Sequence, residues 1–585
     1  MKKTSLELRF VEWTTFFKSA SSFREKLLKG LSFEFEGQEF YLIPIGQSDI
    51  KDSKLITTLA TWRKRNQDTF PTRFSVTEKG TSDWLENAVV DNENRILFKI
   101  IGDSLKFIGH IGLMYKSMED EIELDNVLRG DDEFPGLMSM ALQTLEEWVE
   151  QELSTNRITL RVLASNTRAI SFYLKNEYVE IKRISMEWEG SETEKQLVPG
   201  TRGDDFIISM DKDLLNTPAK QRVLTAGPSI SSKEVFYIDT AVRFEWNHKN
   251  SDSLINFERK FADYLGVEYA MATSSCTGAL HLALNAVGLG PGDEVLVPDI
   301  TWVATASAVM YTGATPIFVD VDPKDWTMDV DDLEKKITPK TKGIIPVHLY
   351  GFPAKLDEIC QIAEKYGLIV IEDAAPAIGA EVGNNKVGTF GSFGCFSFQG
   401  AKLLVTGEGG MLVTNDSKLY EKARKDQDHG RRPGTFWIES LGHKYKMNNL
   451  TAAFGIGQLE RVENQIERKR RIFNWYRENL SDLNCLSFQQ PRPGSTSIHW
   501  MTSILLGQNS PVSREVLVAH LDKEGIDTRP VFPSISEYPI WGYKPEALKV
   551  SQYIAKNGIN LPSGVLLNRA TIDRICNTIR QSLGV

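Results

Sequence analysis

At 585 residues the chain exceeds one ordinary domain, so two or more hydrophobic cores are expected. Its 41% hydrophobic and 25% charged residues are those of a globular protein, and a net charge of -10 argues against a general nucleic-acid surface. An anionic substrate must then be held by local amides and a few cations. The five cysteines and eight histidines show neither paired nor metal-ligand spacing, so no metal is expected. With no secretory signal and no apolar run near about 18 residues, the reading is a cytoplasmic protein with reduced thiols and no membrane contact.

Residues 1–37 read as an N-terminal extension, and strand and helix signals then run from about Phe40 to Met210. His110, in Phe107-Ile-Gly-His-Ile-Gly, stands mid-strand and suits a core position as well as a catalytic one. Glu123 and Asp125 alternate on a strand, where a solvated face is the default. The turn Asn126-Val-Leu-Arg129-Gly-Asp-Asp-Glu-Phe-Pro-Gly136-Leu-Met138 opens the helix Ser139-Met-Ala-Leu-Gln-Thr-Leu-Glu-Glu-Trp, where free backbone N–H groups suit phosphate. Strand and helix follow in Arg161-Val-Leu-Ala-Ser-Asn166-Thr-Arg-Ala-Ile-Ser-Phe-Tyr173-Leu-Lys-Asn-Glu177. Taken alone, Tyr173 also reads as a helix-face core aromatic.

Turn, helix, strand, Asn and Tyr in this order resemble the GNAT-family acetyltransferases over residues 38–212. The resemblance implies an α/β domain that uses acetyl-CoA as cosubstrate. Arg129, Gly136 and Met138 would lie at its phosphates, Asn166 at the pantetheine arm, and Tyr173 would protonate the departing thiolate. Glu177 stands where the family has glycine, and no general base is evident.

Residues 213–232 are polar and broken by proline and glycine, and read as a linker. Beyond them, apolar strands such as Glu294-Val-Leu-Val-Pro and Pro316-Ile-Phe-Val-Asp alternate with amphipathic helices such as Leu356-Asp-Glu-Ile-Cys-Gln-Ile-Ala-Glu-Lys. That pattern predicts a mostly parallel sheet covered on both faces. A charged helical stretch near Arg468 leads into a smaller α+β part over about 470–585.

Three motifs carry chemistry here. Ala272-Thr-Ser-Ser-Cys-Thr277-Gly278-Ala-Leu280 precedes a helix, and its open N–H groups suit a phosphate, though by itself it reads as a plain N-cap. Leu368-Ile-Val-Ile-Glu-Asp373 delivers a carboxylate at a strand end. Ser397-Phe-Gln-Gly-Ala-Lys402, followed by Thr406-Gly-Glu-Gly-Gly410, places a lysine on a tight loop. A lysine to join the aldehyde of pyridoxal phosphate and an acid to keep its ring nitrogen protonated suit that cofactor. A carboxylate about 4 Å from a pyridinium gains on the order of 4 kcal/mol at an effective dielectric of about 20, roughly three pKa units. Trp302, in Asp299-Ile-Thr-Trp-Val-Ala-Thr, is placed to lie over such a ring or to be an ordinary core tryptophan.

These motifs, with Leu441-Gly-His-Lys-Tyr-Lys-Met-Asn-Asn-Leu-Thr-Ala-Ala, resemble the DegT/DnrJ/EryC1/StrS sugar-nucleotide aminotransferases over residues 233–585. The resemblance implies the fold type I, aspartate aminotransferase-like architecture of pyridoxal-phosphate enzymes, and a homodimer whose sites use both subunits. Thr277, Gly278 and Ser397 match phosphate ligands, Trp302 the ring-stacking position, Asp373 the pyridine partner, and Lys402 the covalent anchor and proton carrier. Lys444 and Lys446 replace an Asn/Arg pattern that reaches the partner's phosphate. Pro376 stands where the family has His, Glu or Gln, and Ser536 where histidine is common. The segment Lys444–Leu450 resembles enzymes that aminate C4 of a nucleotide-linked 4-keto-6-deoxyhexose with L-glutamate. A bifunctional enzyme that acetylates its own amino sugar, for surface polysaccharide such as O-antigen, is expected. C3 amination, or a non-catalytic CoA-binding N-terminal module, stands beside it.

Overall fold

Two units make up the chain, Met1–Asn216 and Thr217–Val585. The computed structural model describes residues 3–102, 105–130, 133–190, 195–200, 205–214, 222–246 and 249–585, with the side chain of Arg73 left aside.

In the first unit, period-two apolar patterning yields a ten-stranded sheet. Its strands are β1 (Leu31–Phe35), β2 (Gln38–Pro44), β3 (Thr72–Arg73), β4 (Arg95–Gly102), β5 (Phe107–Lys116), β6 (Glu121–Arg129), β7 (Arg157–Leu163), β8 (Val179–Gly190), β9 (Lys195–Pro199) and β10 (Asp205–Asp213). The order is β1-β2-β4-β5-β6-β7-β10-β8-β9-β3. Only β6 and β7 run parallel, and the helix Leu137–Leu153 makes the crossover such a pair requires. That helix and the helix Ser5–Lys18 cover one face. Phe10, Trp13 and Phe17 from Ser5–Lys18 are buried, and Trp13 and Phe17 pack on Trp148. The first turn of Ser5–Lys18 is fixed by Thr4, whose hydroxyl accepts from the Glu7 N–H. Residues 5–18, read as an extension, are thus built into this core.

The other face of the sheet carries the helix Ser53–Arg65, the helix Glu78–Trp84 and the π-helical segment Leu85–Val90. Leu55, Leu59, Leu85 and Val89 bury Leu97 there, while its neighbours Ile96 and Phe98 point into the first cluster.

The second unit contains a seven-stranded sheet of β11 (Tyr269–Thr273), β12 (Glu294–Pro298), β13 (Thr315–Val319), β14 (Thr341–Ile344), β15 (Ile369–Asp373), β18 (Phe393–Ser397) and β19 (Gly410–Thr414). Between β15 and β18, the short strands β16 (Glu381–Val382) and β17 (Asn385–Lys386) form a hairpin. The sheet order is β11-β19-β18-β15-β14-β12-β13, parallel from β13 through β18 and antiparallel at β19. The expected parallel sheet is therefore present, and its strands read as continuous apolar runs because helices cover both faces. The helix Val462–Leu480 leads to a four-stranded sheet of β20 (Leu486–Phe488), β22 (Thr502–Leu506), β24 (Gly558–Leu561) and β23 (Arg529–Pro530), with β21 (Ser495–Thr496) joining the β16–β17 hairpin. Among the described residues, no helix is long and apolar enough to cross a membrane.

Of the stretch read as a linker, residues 215–221 lie outside the described residues. From Arg222 onward the chain is fastened to the second unit. The Val223 N–H donates to Gly525 O (2.9 Å), and Arg461 and Gln458 donate to Ser229 O and to Glu234. Polar composition there reflects buried hydrogen bonding, not a free tether.

Lys469, on the helix Val462–Leu480, is buried and donates to Trp500 O (2.7 Å) and Ser563 O. Burial without a carboxylate pushes its pKa down to about 7 from 10.5. The unfolded chain then binds more protons than the folded one, so this unit gains stability as pH rises from about 7 toward about 10.5. Lys469→Met should flatten that rise in urea melts recorded across the same pH range. An unchanged slope would contradict the assignment.

Candidate active site

In the second unit, β15 ends with Glu372 and Asp373 pointing to opposite sides, as strand pleating dictates. Asp373 is 5% exposed. Its Oδ2 accepts from Thr305 Oγ1 (2.7 Å) and its Oδ1 from the Ala375 N–H (3.1 Å). Burial raises its pKa, and Thr305, Ala375 and the Lys402 ammonium pull back against that rise. A sequestered carboxylate held by two donors is one that a cation facing it would bring to full charge.

Glu372, on the reverse side, is fully buried. It accepts from the N–H groups of Gly388 (2.6 Å), Phe390 (2.7 Å) and Gly391 (2.8 Å) and from His348 Nε2 (3.2 Å). The Ala354 N–H donates to His348 Nδ1 (3.0 Å), so Nε2 carries the ring proton. This network clamps the strand end that presents Asp373. Nothing in the sequence marks Thr305, Glu372 or His348 for these parts beyond the acidic pair at the strand end.

Lys402 lies on the loop after β18. The loop closes on itself through Gly400 N to Gly407 O (3.0 Å) and Thr406 N to Phe398 O (2.7 Å). Gly407 sits at φ +84°, and a Cβ on Gly410 would meet Cys276 N at 2.6 Å, so the glycines let this loop close against the helix start. The Lys402 Nζ stands 4.0 Å from the centroid of the Trp500 ring, and Trp500 Nε1 donates to Ala401 O (2.8 Å). Burial lowers the Lys402 pKa, while Asp373 works to raise it. The fold thus brings Lys402 and Asp373 within electrostatic reach of each other, across about thirty residues of chain.

The helix Cys276–Val287 begins here. Ser275 caps it by accepting the Gly278 N–H (3.1 Å), which leaves the first-turn N–H groups of Cys276 and Thr277 open. The Gly278 N–H, expected at a phosphate, is used by this cap. A Cβ on Gly278 would stand 3.1 Å from the Tyr445 ring, so glycine permits that approach. Ser397, half-buried at the end of β18, accepts from the Gln399 N–H (3.4 Å). Trp302 is 60% exposed and tilts against Phe532 at 5.9 Å, which removes the core-tryptophan alternative. Ser536 donates its N–H to Asp299 Oδ1 (2.7 Å), and Ser534 also bonds this buried acid, which fixes the Arg529–Ser536 segment. Lys444 pairs with Asp428 (2.9 Å). Phe436, Trp437 and Leu441, on the same stretch, are strongly exposed.

A phosphate seat at a helix start, a carboxylate at the far side and a lysine between them fit pyridoxal phosphate. Asp373 would face its ring nitrogen, Lys402 its aldehyde carbon, and the Thr277 turn its phosphate.

In the first unit, β6 and β7 pair only at Ile122↔Ile158 and Glu123↔Thr159. Beyond that point no ladder joins them among the described residues. A bulge sits at the parting, with Asn126 at φ +50° and a register shift opposite His110 and Gly112. Parted parallel strands leave backbone groups free for an extended ligand. Gly136, at φ +97°, caps the helix Leu137–Leu153 without any side-chain bond, and with the Leu137 N–H on Phe134 O (3.3 Å) and the Ser139 N–H on Gly136 O (3.0 Å), the Met138 N–H is left open. The Met138 side chain packs in the core, leaving only its backbone for the expected contact. Within the Arg129 turn, Asp131 and Asp132 lie outside the described residues.

Asn166 caps the next helix, its Oδ1 accepting the Ala169 N–H (3.1 Å). Tyr173 is 8% exposed on that helix, and burial, with the nearby Asp125 charge, pushes its pKa upward, so its hydroxyl keeps its proton. Glu177 sits at φ +68°, the left-handed conformation that explains a glycine preference there. The expected solvated face at Glu123 and Asp125 is not present. Glu123 is 6% exposed and paired with Lys116 (2.8 Å) and Arg161 (3.0 Å), and Asp125 lies 2.7 Å from Arg95. Lys116, Arg161 and Arg95, from other strands of the same sheet, close that face over. His110 is buried, bonds Asn126 O through Nδ1 (2.6 Å), and has its pKa lowered to about 4 by burial.

Comparison with known proteins adds to this geometry. Residues 228–580 match the model of the DegT/DnrJ/EryC1/StrS aminotransferase family, and residues 41–179 match that of the acetyltransferase (GNAT) domain. A GDP-perosamine synthase of Caulobacter vibrioides is 39% identical over 62% of this chain and 98% of that protein. Another, of Escherichia coli O157:H7, is 40% identical over 60% of this chain and 96% of that protein. Among solved structures, the aminotransferase TlmJ from Streptoalloteichus hindustanus superposes with a TM-score of 0.59 at 29% identity, covering 62% of this chain and 99% of that one.

Thr305→Val would take one donor from Asp373 and should weaken retention of pyridoxal phosphate by about tenfold, the scale of one hydrogen bond to a charged group. Equilibrium dialysis of the cofactor against wild type and variant reads this directly, and equal retention would refute it.

Proposed function

Because the chain belongs to the DegT/DnrJ/EryC1/StrS aminotransferase family and also carries a GNAT acetyltransferase domain, we propose that it aminates a nucleotide-linked 4-keto-6-deoxyhexose at C4 and then N-acetylates the product. L-Glutamate is the amino donor and acetyl-CoA the acyl donor in this reading. The observation that carries the first step is Lys402 and Asp373 meeting at one buried end of the parallel sheet. Resemblance to two GDP-perosamine synthases and the Lys444–Leu450 segment support C4 as the site of amination.

Pyridoxal phosphate, when bound, supplies an electron sink that lets nitrogen leave one carbon and join another. The chain's own residues do the rest. Asp373, kept from water and steadied by Thr305 and Ala375, holds the proton at the ring nitrogen. Lys402, whose pKa is lowered by burial, gives up its proton more readily than an exposed lysine, which suits it to take a proton from one carbon and return it to another. Trp500 holds the backbone just before Lys402 and lies under its ammonium, which limits where the Nζ can swing. In the first unit the parted β6 and β7 accept the extended arm of acetyl-CoA, with the Met138 N–H after Gly136 toward its phosphates. Arg129 and Asn166 flank that path. Tyr173, kept protonated by burial, gives its proton to the leaving thiolate.

Phe436, Trp437 and Leu441 present more exposed apolar surface than a lone chain ordinarily leaves on one stretch, which supports a homodimer through the aminotransferase part. Tethering the two activities holds the intermediate at an effective concentration of up to about millimolar.

Mass spectrometry of reactions with GDP-, UDP- and dTDP-linked 4-keto-6-deoxy sugars, glutamate and acetyl-CoA tests the sequence of steps. The expected product is the 4-acetamido sugar. Lys402→Ala should yield no amine. Tyr173→Phe should yield the free amine and slow acetylation by about 10²- to 10⁴-fold. A 3-amino product would overturn the C4 assignment, and a full chain that stops at the free amine would overturn the acetylation step.

A further inference from the structure

The helix Ser53–Arg65 of the first unit ends in a basic run, Arg63-Lys-Arg. Arg65 is employed locally, donating to Gly130 O (2.8 Å). Arg63 is not. Its guanidinium lies over the rings of Trp84 (4.3 Å) and Phe74 (5.2 Å), and its Nη1 is buried with no hydrogen-bond partner. Among the described residues no carboxylate pairs with it. Burial alone lowers its pKa to about 10. A partly desolvated cation without a counter-charge is costly, and ring contacts offset only part of that cost. Stacking also fixes the guanidinium plane and leaves its N–H edge for a ligand, the arrangement that suits phosphate oxygens.

The surroundings place this cation with a second substrate. The helix carrying Arg63 packs on the face of the sheet opposite the helix Leu137–Leu153, whose first turn, with its Met138 N–H, is the one proposed for coenzyme A. Phe74 directly follows β3, which pairs with β9, and the Leu197 N–H donates to Pro71 O (2.9 Å), so the segment holding Phe74 is anchored to the sheet. The neighbouring Trp62 ring lies 6.5 Å from that of His110, whose Nε2 is likewise buried without a partner. Two unsatisfied polar side chains thus gather on the face away from the acetyl-CoA turn.

We infer that Arg63 is the anion-recognition residue of the acetyl-acceptor site and takes the diphosphate of a nucleotide-linked amino sugar. The inference rests on the acetylation reading for its substrate, but the site can be probed without turnover. The full chain is treated with phenylglyoxal, and labelling of Arg63 is followed by peptide mass spectrometry in buffer, inorganic pyrophosphate, dTDP, GDP or coenzyme A. Pyrophosphate and the nucleoside diphosphates should slow labelling of Arg63 on the order of tenfold, and coenzyme A should not. Protection by coenzyme A alone, or by none of them, overturns the assignment.

Arg63→Met should raise the KM for the nucleotide-linked amino sugar on the order of tenfold, with kcat and the KM for acetyl-CoA little changed. Arg63→Lys, which keeps the charge, should recover part of the loss. An unchanged acceptor KM in a variant whose circular dichroism matches wild type also overturns it. If wild type transfers no acetyl group, the acetylation reading fails by itself, and the protection pattern still decides whether Arg63 holds a diphosphate.

Discussion

A carboxylate kept from water beside a lysine is the constraint around which the second unit is arranged. Asp373 is buried, and burial alone pushes its pKa upward. Two donors and the Lys402 charge oppose that tendency, so the acid is poised to meet a cation on its open side. Everything nearby maintains this balance. Glu372 and His348 clamp the strand end from behind, the glycines at 407 and 410 let the lysine loop fold back, and Trp500 holds that loop from the C-terminal part.

The parallel sheet explains why these groups meet. Parallel strands aligned by crossover helices bring their C-terminal ends to one edge, so a residue ending β15 and a loop leaving β18 fall side by side. The helix after β11 starts at the same edge and adds open N–H groups. The first unit reaches a comparable result by different means. There a single parallel pair, β6 with β7, parts after two rungs, and a bulge turns backbone toward the gap. In both units the candidate site joins backbone N–H groups left open at a helix start to one or two buried side chains whose pKa burial shifts.

Buried charge marks the remaining special positions. Desolvation lowers the Lys469 pKa and two carbonyls accept from it, Glu123 is matched by two cations, and Arg63 has rings but, among the described residues, no acid. The first two are satisfied within the fold, and for Arg63 the inferred partner is a bound anion.

Much of this was legible in the chain itself. The strand-end acid, the lysine loop with its glycines, and the turn–helix–strand order of the first half are local patterns. Local patterns survive folding because they reflect backbone geometry and nearby chemistry. The parallel sheet was likewise written in continuous apolar runs. What no local pattern carries is which distant side chains come to face each of these groups. Thr305 on Asp373, Trp500 under Lys402 and Arg161 beside Glu123 are separated from their partners by tens of residues. Composition even misled at 222–231, where polar residues signify buried bonding to Arg461 and Gln458. Sequence by itself determined the elements and the reactive residue types. Tertiary packing alone decided burial, partners and protonation, because those depend on solvent exclusion by chain segments far apart in order.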